Sequence, residues 1–72
     1  MKKNEDLNTI GEAIRIERLK RHLTQEQLAE MSGLSQSQHI SRIEKADVDM
    51  RVSTLVKILR ALNLKFEDLI EL

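Results

Sequence analysis

The sequence lacks the residues on which several classes of protein depend. Its 72 residues include no cysteine, no proline and a single aromatic residue, Phe66. The absence of cysteine excludes disulfides and thiolate metal sites, and two histidines are too few for a convincing zinc site, so we expect neither a metal nor a cofactor. No apolar run approaches the roughly 18 residues of a membrane-spanning helix. Residues 1–6 lead into no apolar segment, so we expect no signal peptide and a cytoplasmic protein.

A catalytic function is not predicted. The sequence has no cysteine nucleophile, no glycine-rich phosphate loop and no pair of histidines at metal-ligand spacing. A chain of this length also has little material with which to enclose a pocket. We therefore expect a protein that is not an enzyme.

The net charge is zero, because 12 basic residues balance 12 acidic residues. Nucleic-acid-binding domains are usually basic, so the balance by itself argues against a nucleic-acid partner. The distribution of charge matters more than its sum. Basic residues gather at Arg15 to Arg21 and again at Arg42, Lys45 and Arg51. This clustering is consistent with a basic face on a neutral protein.

The hydrophobic pattern predicts an all-α domain of five helices with no strand. Helix one is predicted to begin after the N-cap Thr9, with Glu12 in the capping-box position. Helix two is predicted to begin after Thr24, with Gln27 in the equivalent position, and to end in a left-handed turn at Gly33.

The remaining helices are predicted from the spacing of their apolar residues. They are expected at about Gln36 to Glu44, Val52 to Leu62 and Phe66 to Glu71. The residues predicted to face the core are Ile10, Ala13 and Ile14 in helix one, Leu28, Ala29 and Met31 in helix two, Ile40 and Ile43 in helix three, and Leu55, Ile58, Leu59 and Leu62 in helix four. Residues 9–72 form the predicted domain, and residues 1–8 are predicted to be a flexible N-terminal arm.

The segment from Leu23 to Ser35 is the most informative part of the chain. It has the pattern of a short capped helix, a glycine turn and the start of a second helix, which carries Ile40 to Glu44. Two short helices joined by a tight turn form the helix-turn-helix unit, whose second helix, the recognition helix, enters the major groove of DNA. This motif predicts DNA binding more strongly than the composition does.

From Ile10 to Ile70 the chain resembles the Cro/phage-repressor family of helix-turn-helix regulators. The matching residues are Ile14-Arg15, Arg18, Leu23 to Ala29, Gly33, Ser35, Ile40 to Glu44, Leu55, Ile58, Ala61-Leu62 and Leu64 to Leu69. The resemblance implies a compact five-helix domain, similar to that of lambda repressor, that binds operator DNA as a homodimer.

The connection from Gly33 to Ile40 is one residue longer than is usual in this family. Ile40 and Ile43 must both face the core, and at helical spacing they share a face. We therefore place the extra residue in the turn and expect Ser35 or Ser37 to cap helix three. The alternative is a π turn inside the helix.

Eight polar residues are candidates for DNA contact. They are Gln25, Gln36, Ser37, Gln38, Ser41, Arg42, Lys45 and Arg51. Gln38 and Arg42 lie four residues apart on the outer face of helix three, and such side chains pair with adenine and guanine. Lys45 and Arg51 are predicted to bind phosphates. The resemblance places a further phosphate contact at Gln25.

Two other sets of residues are assigned structural roles. The resemblance implies an ion pair between Arg18 and Glu44 that tethers the recognition helix to helix one. Near the C-terminus, Phe66, Ile70 and Leu72 are candidates for a dimer interface, and the alternative is that they close the core of a monomer.

The function predicted from these features is transcriptional regulation. The leading hypothesis is a repressor that binds a palindromic operator in double-stranded DNA as a homodimer. A related hypothesis is the antitoxin of a toxin–antitoxin module, which would have a toxin as its partner. A third is a protein-interaction module that has kept the fold and lost DNA binding.

Overall fold

The computed structural model describes residues 5–70, which form four α-helices and a short C-terminal 3-10 helix. Helix α1 spans Glu5–Lys20, α2 spans Gln25–Met31, α3 spans Ser37–Glu44, α4 spans Val52–Leu62, and the 3-10 helix spans Phe66–Asp68. No strand occurs among residues 5–70, so the all-α prediction is confirmed. None of the helices in this range has the length and apolar character needed to cross a membrane.

The first helix begins at Glu5, five residues before the predicted first helical residue, Ile10. Thr9 is not an N-cap, because it lies inside α1 and its Oγ1 donates a hydrogen bond to the carbonyl oxygen of Glu5 at 3.0 Å. Glu5 and Asp6 occupy the first turn, where carboxylates interact favourably with the helix dipole. Residues 5–8 of the predicted arm are therefore helical. Residues 1–4 lie outside the described residues, so a flexible arm there stays a prediction.

The predicted fifth helix is a single 3-10 turn. The Leu69 N–H donates to the carbonyl oxygen of Phe66 at 2.9 Å, a bond three residues long. The side chain of Asp68 accepts a 2.8 Å bond from the N–H of Lys65, which caps the turn. A segment this short gains too few bonds to repay the cost of nucleating a full α-helix. The last two residues of the predicted helix and interface, Glu71 and Leu72, lie outside the described residues.

The core is built from one apolar face of each helix. The largest fully buried side chains are Ile14, Leu28, Ile40, Ile43, Ile58 and Leu62. Helix α3 packs against α1 and α2, and α4 packs against α2. Met31 is the exception to the predicted core, because it is 52% exposed at the end of α2. The pattern of apolar residues therefore identified the buried faces of all four helices.

Each of the four α-helices is followed within two residues by a residue in the left-handed conformation, and these residues are His22, Gly33, Ala46 and Asn63. After α2, the N–H groups of Gly33 and Leu34 donate to the carbonyl oxygens of Glu30 and Ala29 at 3.1 and 2.8 Å. This is the Schellman arrangement, which satisfies carbonyls at a helix end. The left-handed ends at Gly33 and Asn63 confirm the prediction made for those two residues.

Arg21 ties the end of α1 to the end of α4. Its Nη2 donates to the carbonyl oxygen of Leu62 at 2.8 Å, and its Nη1 donates to the side-chain Oε1 of Glu17 at the same distance. The hydrogen bond from Arg21, with a smaller contribution from Lys20, lowers the pKa of Glu17, although burial acts in the opposite direction. Glu17 therefore stabilises the fold in its ionised form.

The lowered pKa of Glu17 predicts a loss of stability in acid. The folded-state pKa lies below the ordinary value of 4.5, so the contribution is complete above that pH and is lost as the pH falls through the lowered pKa. We expect the free energy of unfolding, measured by urea titration, to fall more steeply in this window for the parent protein than for Glu17→Gln. Parallel pH profiles for the two proteins would show that this carboxylate contributes nothing.

Candidate nucleic-acid interface

Helix α3 has one face in the core and one face in solvent. Ile40 and Ile43 are 0% and 1% exposed, which fixes the rotation of the helix. Gln38 and Arg42 are exposed on the outer face, and Ser41 between them is half-buried. Because all of these residues belong to one continuous helix, the polar groups of Gln38 and Arg42 are presented together on a rigid element.

The extra residue lies in the turn and not in α3. Helix α3 is α-helical from Ser37 to Glu44, and no π turn occurs in the part of the chain that the structure describes. The connection from α2 comprises residues 32–36. The predicted caps Ser35 and Ser37 are wrong, since the N-cap is Gln36 and its side chain makes no capping bond. The Schellman end at Gly33 directs the chain away from α2, and the lengthened turn then carries it to α3.

The start of α2 is fixed by the predicted capping box. The N–H of Gln27 donates to Oγ1 of Thr24 at 3.0 Å, and the N–H of Thr24 donates to Oε1 of Gln27 at 2.8 Å. Gln25, the first residue of α2, directs its side chain toward α3, where its Nε2 donates to Oε1 of Glu44 at 3.1 Å. Gln25, the residue predicted to contact a phosphate, is thus hydrogen-bonded to the last residue of α3.

The structure brings Arg18 and Glu44 together as a buried, two-pronged ion pair. Nε of Arg18 lies 2.7 Å from Oε2 of Glu44, and Nη2 lies 3.1 Å from Oε1. The two side chains are 10% and 3% exposed. Nη1 of Arg18 also donates to the carbonyl oxygen of Leu23 at 2.8 Å. One guanidinium therefore connects α1, the turn before α2 and the end of α3.

Gly11 is a residue that the sequence reasoning missed. It is buried in α1 directly beneath the end of α3. A Cβ at this position would overlap the carbonyl oxygen of Ile43 and lie 3.0 Å from that of Glu44. The available signal was a glycine inside a helix, which costs about 1 kcal/mol relative to alanine and so indicates a packing reason.

A shallow concavity runs between the outer face of α3 and the loop that follows it. It is lined by Ser35, Gln36, Gln38, His39, Arg42, Val48 and Asp49. A second depression joins the first at Gln36 and Gln38 and extends to Glu26 on α2. Four of the candidates, Gln36, Ser37, Gln38 and Arg42, therefore line one continuous surface, whereas Ser41 lines neither depression. Lys45 and Arg51 are exposed beyond the edge of this surface, at the two ends of the loop.

Some groups on this surface were not anticipated. Glu26 and Asp49 bring negative charge to it, and Val48 brings an apolar group beside Arg42. Among the described residues no cluster of three or more histidine, aspartate or glutamate side chains is arranged to hold a metal ion. The surface therefore combines amide and hydroxyl groups with one guanidinium, one imidazole, two carboxylates and one apolar side chain.

The candidate dimer residues lie on the 3-10 helix and its end. Phe66 is 38% exposed, which is high for a large apolar side chain. Ile70 is partly buried and packs against the core. Val52 and Val56, four residues apart on α4, are also exposed, at 77% and 36%. The described surface thus carries apolar side chains that no part of the described chain covers.

Comparisons with a family model and with solved structures both identify a helix-turn-helix protein. A family model described as helix-turn-helix matches residues 14–69. No curated protein sequence matches the chain significantly. Among solved structures, the restriction-modification controller protein C.AhdI from Aeromonas hydrophila superposes with a TM-score of 0.86 at 27% identity, over 93% of this chain and 100% of that chain. The wild-type restriction-modification controller protein C.Esp1396I superposes with a TM-score of 0.80 at 28% identity, over 88% and 80% of the two chains. A single-residue mutant of C.Esp1396I gives a TM-score of 0.83 at 30% identity, over 92% of each chain.

Proposed function

Because the chain belongs to the Cro/phage-repressor family of helix-turn-helix DNA-binding transcriptional regulators, we propose that it is a repressor that binds a palindromic operator as a homodimer. The observation that carries the proposal is the outer face of α3, where exposed Gln38 and Arg42 stand on a helix whose rotation is fixed by buried Ile40 and Ile43. A cytoplasmic location, where a nucleoid would hold the target DNA, is part of the same proposal.

The chemistry of the outer face suits direct reading of base edges. An amide such as that of Gln38 forms two hydrogen bonds with adenine, and a guanidinium such as that of Arg42 forms two with guanine. Val48, beside Arg42, offers an apolar contact for a thymine methyl group. Gln36 and Ser37 belong to the same surface at the start of α3, and half-buried Ser41 lies between Gln38 and Arg42 on the helix. Lys45, Arg51 and Gln25 are assigned to phosphates, which set position without reading sequence.

Arg42→Ala is expected to weaken operator binding by about 1–3 kcal/mol and to relax the preference at one base position. The physical reason is the loss of a two-pronged contact to a single base. Fluorescence anisotropy on the operator, on its single-base variants and on random DNA measures both effects. Arg51→Ala is the control, and it should weaken binding evenly on every sequence and lower the salt slope by about 1. Equal losses on operator and random DNA for Arg42→Ala would rule out base reading.

Dimer formation is expected from the small size of the reading surface. One recognition helix reads only a few base pairs. A longer operator therefore needs two recognition helices, one from each chain of a dimer, bound to half-sites about 34 Å apart. The described domain measures 31 × 23 × 22 Å, so two copies side by side suit that spacing.

We expect light scattering to give twice the mass of one chain, and Phe66→Lys to give a monomer. Ile16→Lys is a matched control, since Ile16 is 42% exposed on the outer side of α1. A monomer both free and on DNA would contradict the proposal.

The regulated genes are proposed from the solved relatives. Both C.AhdI and C.Esp1396I are restriction-modification controller proteins. We propose that this chain likewise controls restriction and modification genes. We also propose that it binds the promoter of its own gene. DNase footprinting on the region upstream of its gene tests this proposal, and a toxin gene beside it would favour the antitoxin hypothesis. A protein without any salt-dependent affinity for DNA would instead be the protein-interaction module.

A further inference from the structure

The side chain of Gln25 is held by the buried ion pair. Its Nε2 donates to Oε1 of Glu44 at 3.1 Å, and the same oxygen accepts the bond from Nη2 of Arg18. The Gln25 side chain is only partly buried, whereas the Glu44 side chain is 3% exposed. A hydrogen bond to a carboxylate is stronger than one between neutral groups. The amide of Gln25 is therefore anchored from inside the protein.

Glu44 is itself held by further hydrogen bonds. Glu44 is fixed by two bonds from Arg18, and Arg18 is fixed in turn by the carbonyl oxygen of Leu23. An amide nitrogen carries two N–H groups, and the bond to Glu44 uses one of them. The second N–H and the amide oxygen of Gln25 have no partner among the described residues. One N–H of the Gln25 amide is thus bonded to Glu44, and its second N–H can donate to a ligand.

We propose that Glu44 is a positioning residue for DNA binding, which holds the amide of Gln25 in the conformation that contacts a phosphate. The inference rests on the proposed function, in which Gln25 is a phosphate contact. A glutamine held before binding loses less side-chain entropy when it binds than a mobile one does. Since Glu44 is also the last residue of α3, one carboxylate sets the phosphate contact and the recognition helix relative to each other.

A double-mutant cycle separates positioning from a merely structural role. Gln25→Ala is made in the parent and in an Arg18→Met, Glu44→Leu background, which removes the acceptor without leaving a buried charge unpaired. We expect Gln25→Ala to weaken operator binding about tenfold in the parent, the size of one hydrogen bond to a charged group, and less than about twofold in the second background. Any change in stability or overall charge is common to both members of that background and cancels. Circular dichroism at the assay temperature confirms that each variant is folded.

Gln36→Ala is the matched control for the cycle. Gln36 is also a glutamine at the start of a helix, but its side chain makes no capping bond and no bond to Glu44. Its effect on binding should be the same in both backgrounds, because unconnected sites are additive.

A second measurement needs no variant of the buried pair. In the DNA-free parent protein, NMR relaxation of the side-chain amide nitrogens should give a clearly higher order parameter for Gln25 than for Gln36. Equal mobility of the two amides would overturn the proposal.

The outcomes of the cycle are distinct. An equal loss from Gln25→Ala in both backgrounds would overturn the positioning role while leaving the phosphate contact and the proposed function intact. No loss in the parent would overturn the inference together with the phosphate contact, and operator binding by that same variant would show that the proposed regulator function survives.

Discussion

Glu44→Ala is expected to lower the free energy of unfolding by about 3–5 kcal/mol, the largest effect predicted for this protein. The change leaves the guanidinium of Arg18 in a site where its side chain is only 10% exposed, without its carboxylate. The cost is dominated by that uncompensated buried charge. Domains of this size rarely have more than about 3–5 kcal/mol to lose, so the variant should be close to unfolded at room temperature.

Thermal unfolding followed by circular dichroism measures the effect. A loss of this size should lower the melting temperature by about 12 °C or more. Glu12→Ala is the matched control, because Glu12 pairs with Arg15 on the surface, with side chains 56% and 49% exposed. A surface pair contributes about 0–1 kcal/mol, so the control should melt close to the parent. A Glu44→Ala protein that melts with the control would show that the ion pair does not hold the fold together.

Gly11→Ala is expected to destabilise the protein by about 1–3 kcal/mol, although alanine favours helices over glycine by about 1 kcal/mol. The added methyl group would overlap the carbonyl oxygen of Ile43, and a backbone atom cannot move aside as the end of a side chain can. The helices α1 and α3 must therefore separate, which also shifts Glu44 from its bonds with Arg18. We expect operator affinity to fall along with stability.

Urea unfolding and operator titration of the same preparations test this prediction. Asn8→Ala is the control, since Asn8 is exposed on the same helix and alanine there should be neutral or slightly stabilising. If Gly11→Ala were as stable as that control, α1 and α3 would have room for a methyl group, and the close approach of the two helices would not constrain the recognition helix.

Local patterns in the sequence determined much of the fold. The spacing of Leu28, Ile40, Ile43, Ile58 and Leu62 identified the buried faces, because a helix with one apolar stripe has one way to bury it. Thr24 with Gln27, and Gly33 and Asn63, marked helix ends by interactions within a few residues. The orientation of α3 followed from two isoleucines, and that orientation in turn predicted which polar residues face outward.

Only the tertiary structure decided the features that depend on distant contacts. The need for glycine at position 11 comes from carbonyls more than thirty residues away, and the bond from Gln25 to Glu44 joins two helices. The left-handed conformation of Ala46 could not be predicted from the neighbouring sequence, since alanine rarely adopts it. Composition, periodicity and capping are local properties, so the sequence by itself determined the four α-helices and their buried faces, but not the start of α1 or the 3-10 form of the last turn. The packing of α1 against α3 required the assembled fold, because it depends on which atoms meet when those faces come together.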